Sequence, residues 1–401
     1  MHETFGQALR RHRGPRSLRD VAQLAACGKS LVSYLERGER RPTPEIAAAL
    51  DRALGANGEL IALARAGTAD SVLERADALQ QGLAESLAAG PMADAAISEW
   101  EFTVARHGRA TRYRPEADLL PELISDFQDL RMILAHRHGP RTRRRLTVAA
   151  ARLSGLMALT LLKLGDNRAR SWWRTGRAAT AAADDRATLS WICAQEAYQL
   201  YYNGDLYGAV ELSDRARQLA GGLPCVGPAL AAPLEARAHA RLGARAAVDS
   251  ALREAEVALS RLSDEDRAAS AFGYSESQLR FHTGNAWTHL GDTARTADDQ
   301  RRALELYPAS DRMDIALVHL DQAMCSALDG APDAAAILAA QTIKNLPVDH
   351  RSALITYRAW QVARKVPEIR ELRVLREILA LPTSERGDEG ADHRGDRVRR
   401  G

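Results

Sequence analysis

Five short segments, LKLGD, YYNGD, ARLGA, THLGD and ALDGA, place glycine at positions 165, 204, 243, 291 and 330, each at the end of a helical apolar pattern. The intervals between them are 39, 39, 48 and 39 residues. A period of this length, with helix, turn and helix in each unit, marks an α-solenoid whose repeats bury their apolar faces against one another. Other positions keep step with the glycines. Seven residues before them stand Ala158, Ala197, Ala236, Gly284 and Ala323, all small. Twelve residues after them stand Ala216, Ala255 and Ala303, with Arg177 and Thr342 in the outer units. Aromatics make up only 5% of a chain rich in alanine and arginine, a mixture that suits helices better than strands. The expected fold class is all-α.

A chain of 401 residues is long enough for two or three domains. The repeats account for 149–381. Residues 67–148 read as a helical connector, with helices expected around 72–87, 97–107 and 119–136. From Thr383 the sequence carries five acidic and five basic residues and almost no apolar ones, so 382–401 is expected to be a disordered tail. Residues 1–66 stand apart as a small basic head, with eleven Arg and Lys against seven Asp and Glu. This local excess is the electrostatic character that attracts phosphate backbones.

The head is punctuated like a set of short helices. Phe5 and Leu9 repeat at helical spacing, Arg10, Arg11 and Arg13 cluster at the end, and Gly14-Pro15 stops the run. Ser17 stands as an N-cap before LRDVAQLA, where Leu18, Val21, Ala22 and Ala25 share one face. After Ala26-Cys27-Gly28, a third helix over 29–37 turns Leu31, Val32 and Leu35 inward and Lys29, Ser30, Ser33 and Tyr34 outward. Gly38 closes it, and Thr43-Pro44 opens the next. Two short helices joined by such a turn form the helix-turn-helix unit, whose second helix enters the DNA major groove.

The segment SLRDVAQLAACGKSLVSYLERGERRPT resembles the XRE-type, or phage-repressor, helix-turn-helix domain over residues 3–65. The turn glycine of that pattern is replaced by Ala26 and its serine cap by Gly28. The resemblance implies that Lys29, Ser30, Ser33 and Tyr34 read base edges. It also implies that Ser17, Arg19, Arg37, Arg40 and Arg41 meet phosphates, and that the partner is double-stranded DNA, bound by a homodimer at a pseudo-palindromic operator. SEWEFTVARHGRATRYRPEADLLPELI is similar to the connector of actinobacterial-type regulators that join such a head to helical repeats.

The repeats resemble the tetratricopeptide type; HEAT-like or irregular helix pairs fit the same glycines. The tetratricopeptide register implies that Trp191, Tyr198, Tyr202, Arg237, Arg241, Gln278, Asn285 and His289 line a concave face. Aromatics hold apolar groups, amides pair with peptide groups and arginines clamp carboxylates, so these residues suit a peptide or other small-molecule ligand. A repeat that merely fills its core with the same side chains is the bland alternative.

The sequence lacks H-E-x-x-H, G-x-S-x-G, phosphate-binding glycine loops and deaminase zinc motifs, so no enzyme, cofactor or metal site is expected. Cys27, Cys193, Cys225 and Cys325 are too scattered for a disulfide framework or a C-x-x-C site. The N-terminal stretch lacks a signal-like apolar core and no segment reads as a membrane span, so a cytoplasmic protein is expected. The sequence points to a DNA-binding transcription regulator whose repeats dimerise and sense a ligand. A protein-interaction scaffold and a ligand-independent regulator are the alternatives.

Overall fold

The computed structural model describes residues 3–64, 79–80, 82–83 and 94–380. The chain divides into two compact units, 1–90 and 91–401. The described residues are helical with no strands. The expected helix over 72–87 lies mostly outside the described residues, and the expected tail lies wholly outside them.

The first unit contains α1 (Phe5–Arg13), α2 (Leu18–Leu24), α3 (Lys29–Glu36), α4 (Pro44–Leu54) and α5, described over 59–64. Thr4 and Ser17 each form a capping box, and Thr43 accepts from the backbone N–H of Ile46 ahead of Pro44. Leu9, Val21, Val32, Leu35, Leu50 and Leu60 make the core. Gly6 lets α1 approach the end of α3, since a Cβ there would lie 2.6 Å from the Leu35 carbonyl oxygen. In the turn after α2, Ala26 adopts φ +50°, the left-handed conformation normally given to glycine, at a cost of about 1 kcal/mol. The buried Asp51 carboxylate accepts from the backbone N–H groups of Gly58 and Leu60 at 2.8 and 3.0 Å and fixes the turn into α5.

The second unit opens with α6 (Asp94–Ala110) and α7 (Glu116–Leu134). Six helix pairs follow: α8 (Pro140–Lys163) with α9 (Ala169–Ala183), α10 (Arg186–Tyr202) with α11 (Leu206–Ala220), and α12 (Val226–Arg241) with α13 (Arg245–Ser260). Then come α14 (Glu276–Leu290) with α15 (Thr293–Leu306), α16 (Arg312–Leu328) with α17 (Pro332–Asn345), and α18 (Ala353–Lys365) with α19 (Arg370–Ala380). The leading helices pack on one another in series, α8 on α10 and so on to α18.

Gly165, Gly204, Gly243, Gly291 and Gly330 all take positive φ, from +73° to +87°, at the turn inside each of the first five pairs. The small residues seven positions earlier are buried, and Ala216, Ala255 and Ala303 meet their partner helices with no exposed surface. The register is corrected in the first pair, where buried Gly176 rather than Arg177 takes the close approach. A Cβ there would meet Ile192 at 2.9 Å.

The 48-residue interval accommodates a longer loop, 261–275, which folds back on α6: the Ala271 N–H donates to the Gly108 carbonyl at 2.8 Å. The connector also reaches the far repeats, with Arg112 pairing Asp311 and Asp314 at 2.9 and 2.7 Å. Helix α18 touches α8, where Gly165 faces Ala353. By length and composition α8 could cross a membrane, with a mean hydropathy of 1.4 over one 18-residue window, but 72% of that window is buried among the other helices.

Candidate nucleic-acid interface

Helix α3 is held from behind. Val32 and Leu35 are buried in the head core, and the Glu36 carboxylate receives the Arg13 guanidinium at 2.6 and 3.1 Å, tying the end of α3 to α1. Gly38, at φ +71°, ends the helix with the Glu39 N–H donating back to the Tyr34 carbonyl. The opposite face then carries Lys29, Ser30 and Tyr34 in the open, with Ser33 half-buried among them. Lys29 can donate to guanine, and hydroxyls can donate or accept. All four residues expected to read bases therefore lie on one helix face.

The residues expected at phosphates are less alike. Arg19 and Arg40 are exposed and, like Lys29, form no ion pair among the described residues; Arg16, not singled out from sequence, joins them. Arg41 is exposed in the same loop. Ser17 is committed to Asp20, donating its backbone N–H at 3.1 Å and accepting at Oγ from the Asp20 N–H at 3.2 Å, so only its hydroxyl proton is left for a phosphate. These hydrogen bonds hold the Asp20 carboxyl below its ordinary value.

Arg37 departs furthest from the expectation. Its guanidinium grips Glu39 through two hydrogen bonds at 2.6 and 2.8 Å, donates to Ser33 Oγ at 2.5 Å and lies 5.1 Å from the centre of the Tyr34 ring. The pairing raises the Arg37 pKa and lowers that of Glu39. Arg37 in this arrangement braces the Ser33 and Tyr34 side chains, and its charge is shared with a carboxylate.

Inside the repeats, the residues expected to line the concave face are mostly interior. Arg237 is 3% exposed. Its Nε donates to Asn285 Oδ1 at 2.7 Å, Nη2 reaches the Tyr202 hydroxyl at 3.4 Å, and the guanidinium lies 4.7 to 5.9 Å from the rings of Tyr201, Phe281, Tyr202 and Tyr198. Asn285 passes the contact on to Asp321 at 2.7 Å, and Arg358 Nε completes the relay to Asp321 at 2.6 Å. The relay joins four consecutive leading helices, α12, α14, α16 and α18. His289 meets the Tyr201 hydroxyl at 3.2 Å, and burial together with the nearby arginines keeps its pKa well below the ordinary value, so the ring is neutral. Arg241 stands at the edge and donates to the Tyr201 carbonyl at 3.1 Å.

Two of the eight expected residues serve the fold. Trp191 lies in the core: its ring fills the notch left by Gly155, packs 4.8 Å from Phe272, and its Nε1–H donates to the Ala271 carbonyl at 2.7 Å. Gln278 closes the capping box of α14 by accepting from the Ser275 N–H at 3.2 Å, although it also borders the interior cavity near Arg237. Sequence reasoning missed Tyr201, Phe281, His282, Asp321 and Arg358, which complete the cluster.

A family model described as a helix-turn-helix domain matches residues 4–64. No curated protein and no solved structure matches the chain. Residues 4–64 form a helix-turn-helix DNA-binding domain.

Proposed function

We propose that this chain is a sequence-specific DNA-binding transcription regulator, with an XRE-type head and tetratricopeptide-like repeats, working without catalysis in the cytoplasm. The observation that supports it best is the polarity of α3: apolar and anchored behind, with Lys29, Ser30, Ser33 and Tyr34 presented together on the side that enters a major groove. Arg16, Arg19, Arg40 and Arg41 flank it as phosphate contacts, supplying affinity without sequence information. The repeats dimerise the chain, bringing two heads to a pseudo-palindromic operator, and hold an effector ligand that shifts the equilibrium between DNA-competent and incompetent arrangements.

The test is selection of genomic fragments by the purified full chain, repeated with the Lys29→Ala/Tyr34→Ala double variant. The expected result is enrichment of a palindromic site by the parent protein. Loss of two base contacts, each about 1–3 kcal/mol, should weaken that site at least about tenfold in the variant while general DNA binding persists. Equal, unenriched binding by both proteins would favour a protein-interaction scaffold instead.

A further inference from the structure

A cavity of about 110 Å³ lies within the repeats, bordered by the rings of Tyr198, Tyr202 and Phe281, by aliphatic side chains such as Leu230 and Leu317, and by Arg237. Every other cation on its wall has an anion. Arg112 is paired with Asp311 and Asp314, and Lys163 with Glu116 at 3.1 Å. Arg237 has none among the described residues: its partners are an amide oxygen and a phenol, its charge faces aromatic rings, and its Nη1, fully shielded from solvent, makes no hydrogen bond there. A guanidinium buried without a carboxylate is an expensive arrangement unless a partner completes it, and its planar fork is shaped for a carboxylate.

We infer that this cavity is a binding site for a small monocarboxylic acid with a short apolar tail, whose carboxylate pairs with Arg237 and whose tail lies against the tyrosines and Phe281. The volume holds a few heavy atoms, well under the roughly 300 Å³ of a typical drug-sized pocket. A peptide chain does not fit. Inorganic phosphate fits the charge but not the apolar walls. The inference deepens the sensor role proposed above and rests on it only for the consequence of binding.

The experiment is calorimetric titration of the full chain with sodium butanoate, butanamide, inorganic phosphate and an N-acetylated tripeptide with a free C-terminus, on the parent protein, Arg237→Met and Met313→Trp. Met313 borders the cavity and takes no part in the hydrogen bonds of the arginine relay, so the tryptophan fills the space without removing the charge. Saturable one-to-one binding of butanoate is expected, with butanamide, phosphate and the tripeptide silent. Each variant should bind at least about tenfold more weakly, as loss of a charge-assisted hydrogen bond or of the space requires. Should Arg237→Met fail to fold, Met313→Trp decides alone, its fold checked by circular dichroism. No butanoate binding, unchanged binding in Met313→Trp, or binding of phosphate or tripeptide in preference to butanoate would overturn the assignment. A parallel anisotropy titration on the selected DNA separates the two readings: butanoate that binds without altering DNA affinity leaves the site standing and removes the sensor role.

Discussion

At the scale of single residues, the arrangement around Arg37 separates two kinds of basic side chain that look identical in sequence. Arg19 and Arg40 are exposed and pair with no carboxylate among the described residues, whereas Arg37 is held by Glu39 and braces Ser33 and Tyr34. A charge already shared with a carboxylate releases fewer counterions from DNA than an unpaired one. Substituting Glu39→Gln frees that charge. The expected outcome is tighter binding to any duplex and a steeper salt dependence, the slope of log K against log salt growing by about 0.9 for each head. An unchanged slope in anisotropy titrations between low and moderate salt would show that Arg37 never reaches a phosphate. The α3 face was fully legible in the sequence because inward and outward residues are fixed by helical periodicity and by the Gly38 stop. The Arg37–Glu39 clamp was not, because a pair two residues apart meets only when the chain has left the helix, and that depends on the turn at Gly38.

At the scale of elements, glycines that look alike do different jobs. Gly243 turns the chain between α12 and α13 at φ +76°, with nothing within 4 Å of where a Cβ would go. Gly155, inside α8, is ordinary helix, but a Cβ there would run into the Trp191 ring. Gly243→Ala therefore costs only the left-handed strain, about 1–2 kcal/mol. Gly155→Ala overpacks a filled core by about 1–3 kcal/mol and dislodges the indole that donates to Ala271. The measurement is a thermal melt paired with limited trypsin cleavage at Arg261 and Arg267. Both variants should melt lower, but only Gly155→Ala should open the 261–275 loop to the protease; equal cleavage of the two would refute the link between Trp191 and that loop. The five turn glycines were readable because each carries its own local signal. The sixth pair was not: α18 ends at Val366 in an extended conformation, followed by Pro367, so no glycine marks it. With that pair unseen, Arg358 could not be placed, and Asp321, which lies outside the concave register, had no visible partner. The cluster around Arg237 was thus half legible, with Tyr198, Tyr202 and Asn285 found and Tyr201, Phe281 and its acidic end missed.

At the scale of the whole molecule, the length of α3 limits what one head can do. Eight residues rising about 1.5 Å each make a helix of about 12 Å, long enough to face three or four base pairs. Four base pairs identify about one site in 250, far too little to find an operator among the millions of competing positions in a genome. Two heads reading together square that figure. The proposed homodimer would supply that second reading, and its geometry can be measured on DNA without knowing which surfaces join the copies. Half-sites read by paired heads are expected about 10 base pairs apart, centre to centre, so that both recognition helices meet the same side of the duplex. Inserting five base pairs between the half-sites of the selected operator turns one of them to the opposite side and should reduce affinity to that of a single half-site. Inserting ten restores the facing and should recover part of the loss. Sedimentation of the same protein with each duplex reports whether two chains are bound. If the five-base-pair insertion leaves affinity unchanged, with one chain per duplex, each head acts alone, and the repeats must contribute specificity by some route other than pairing the heads.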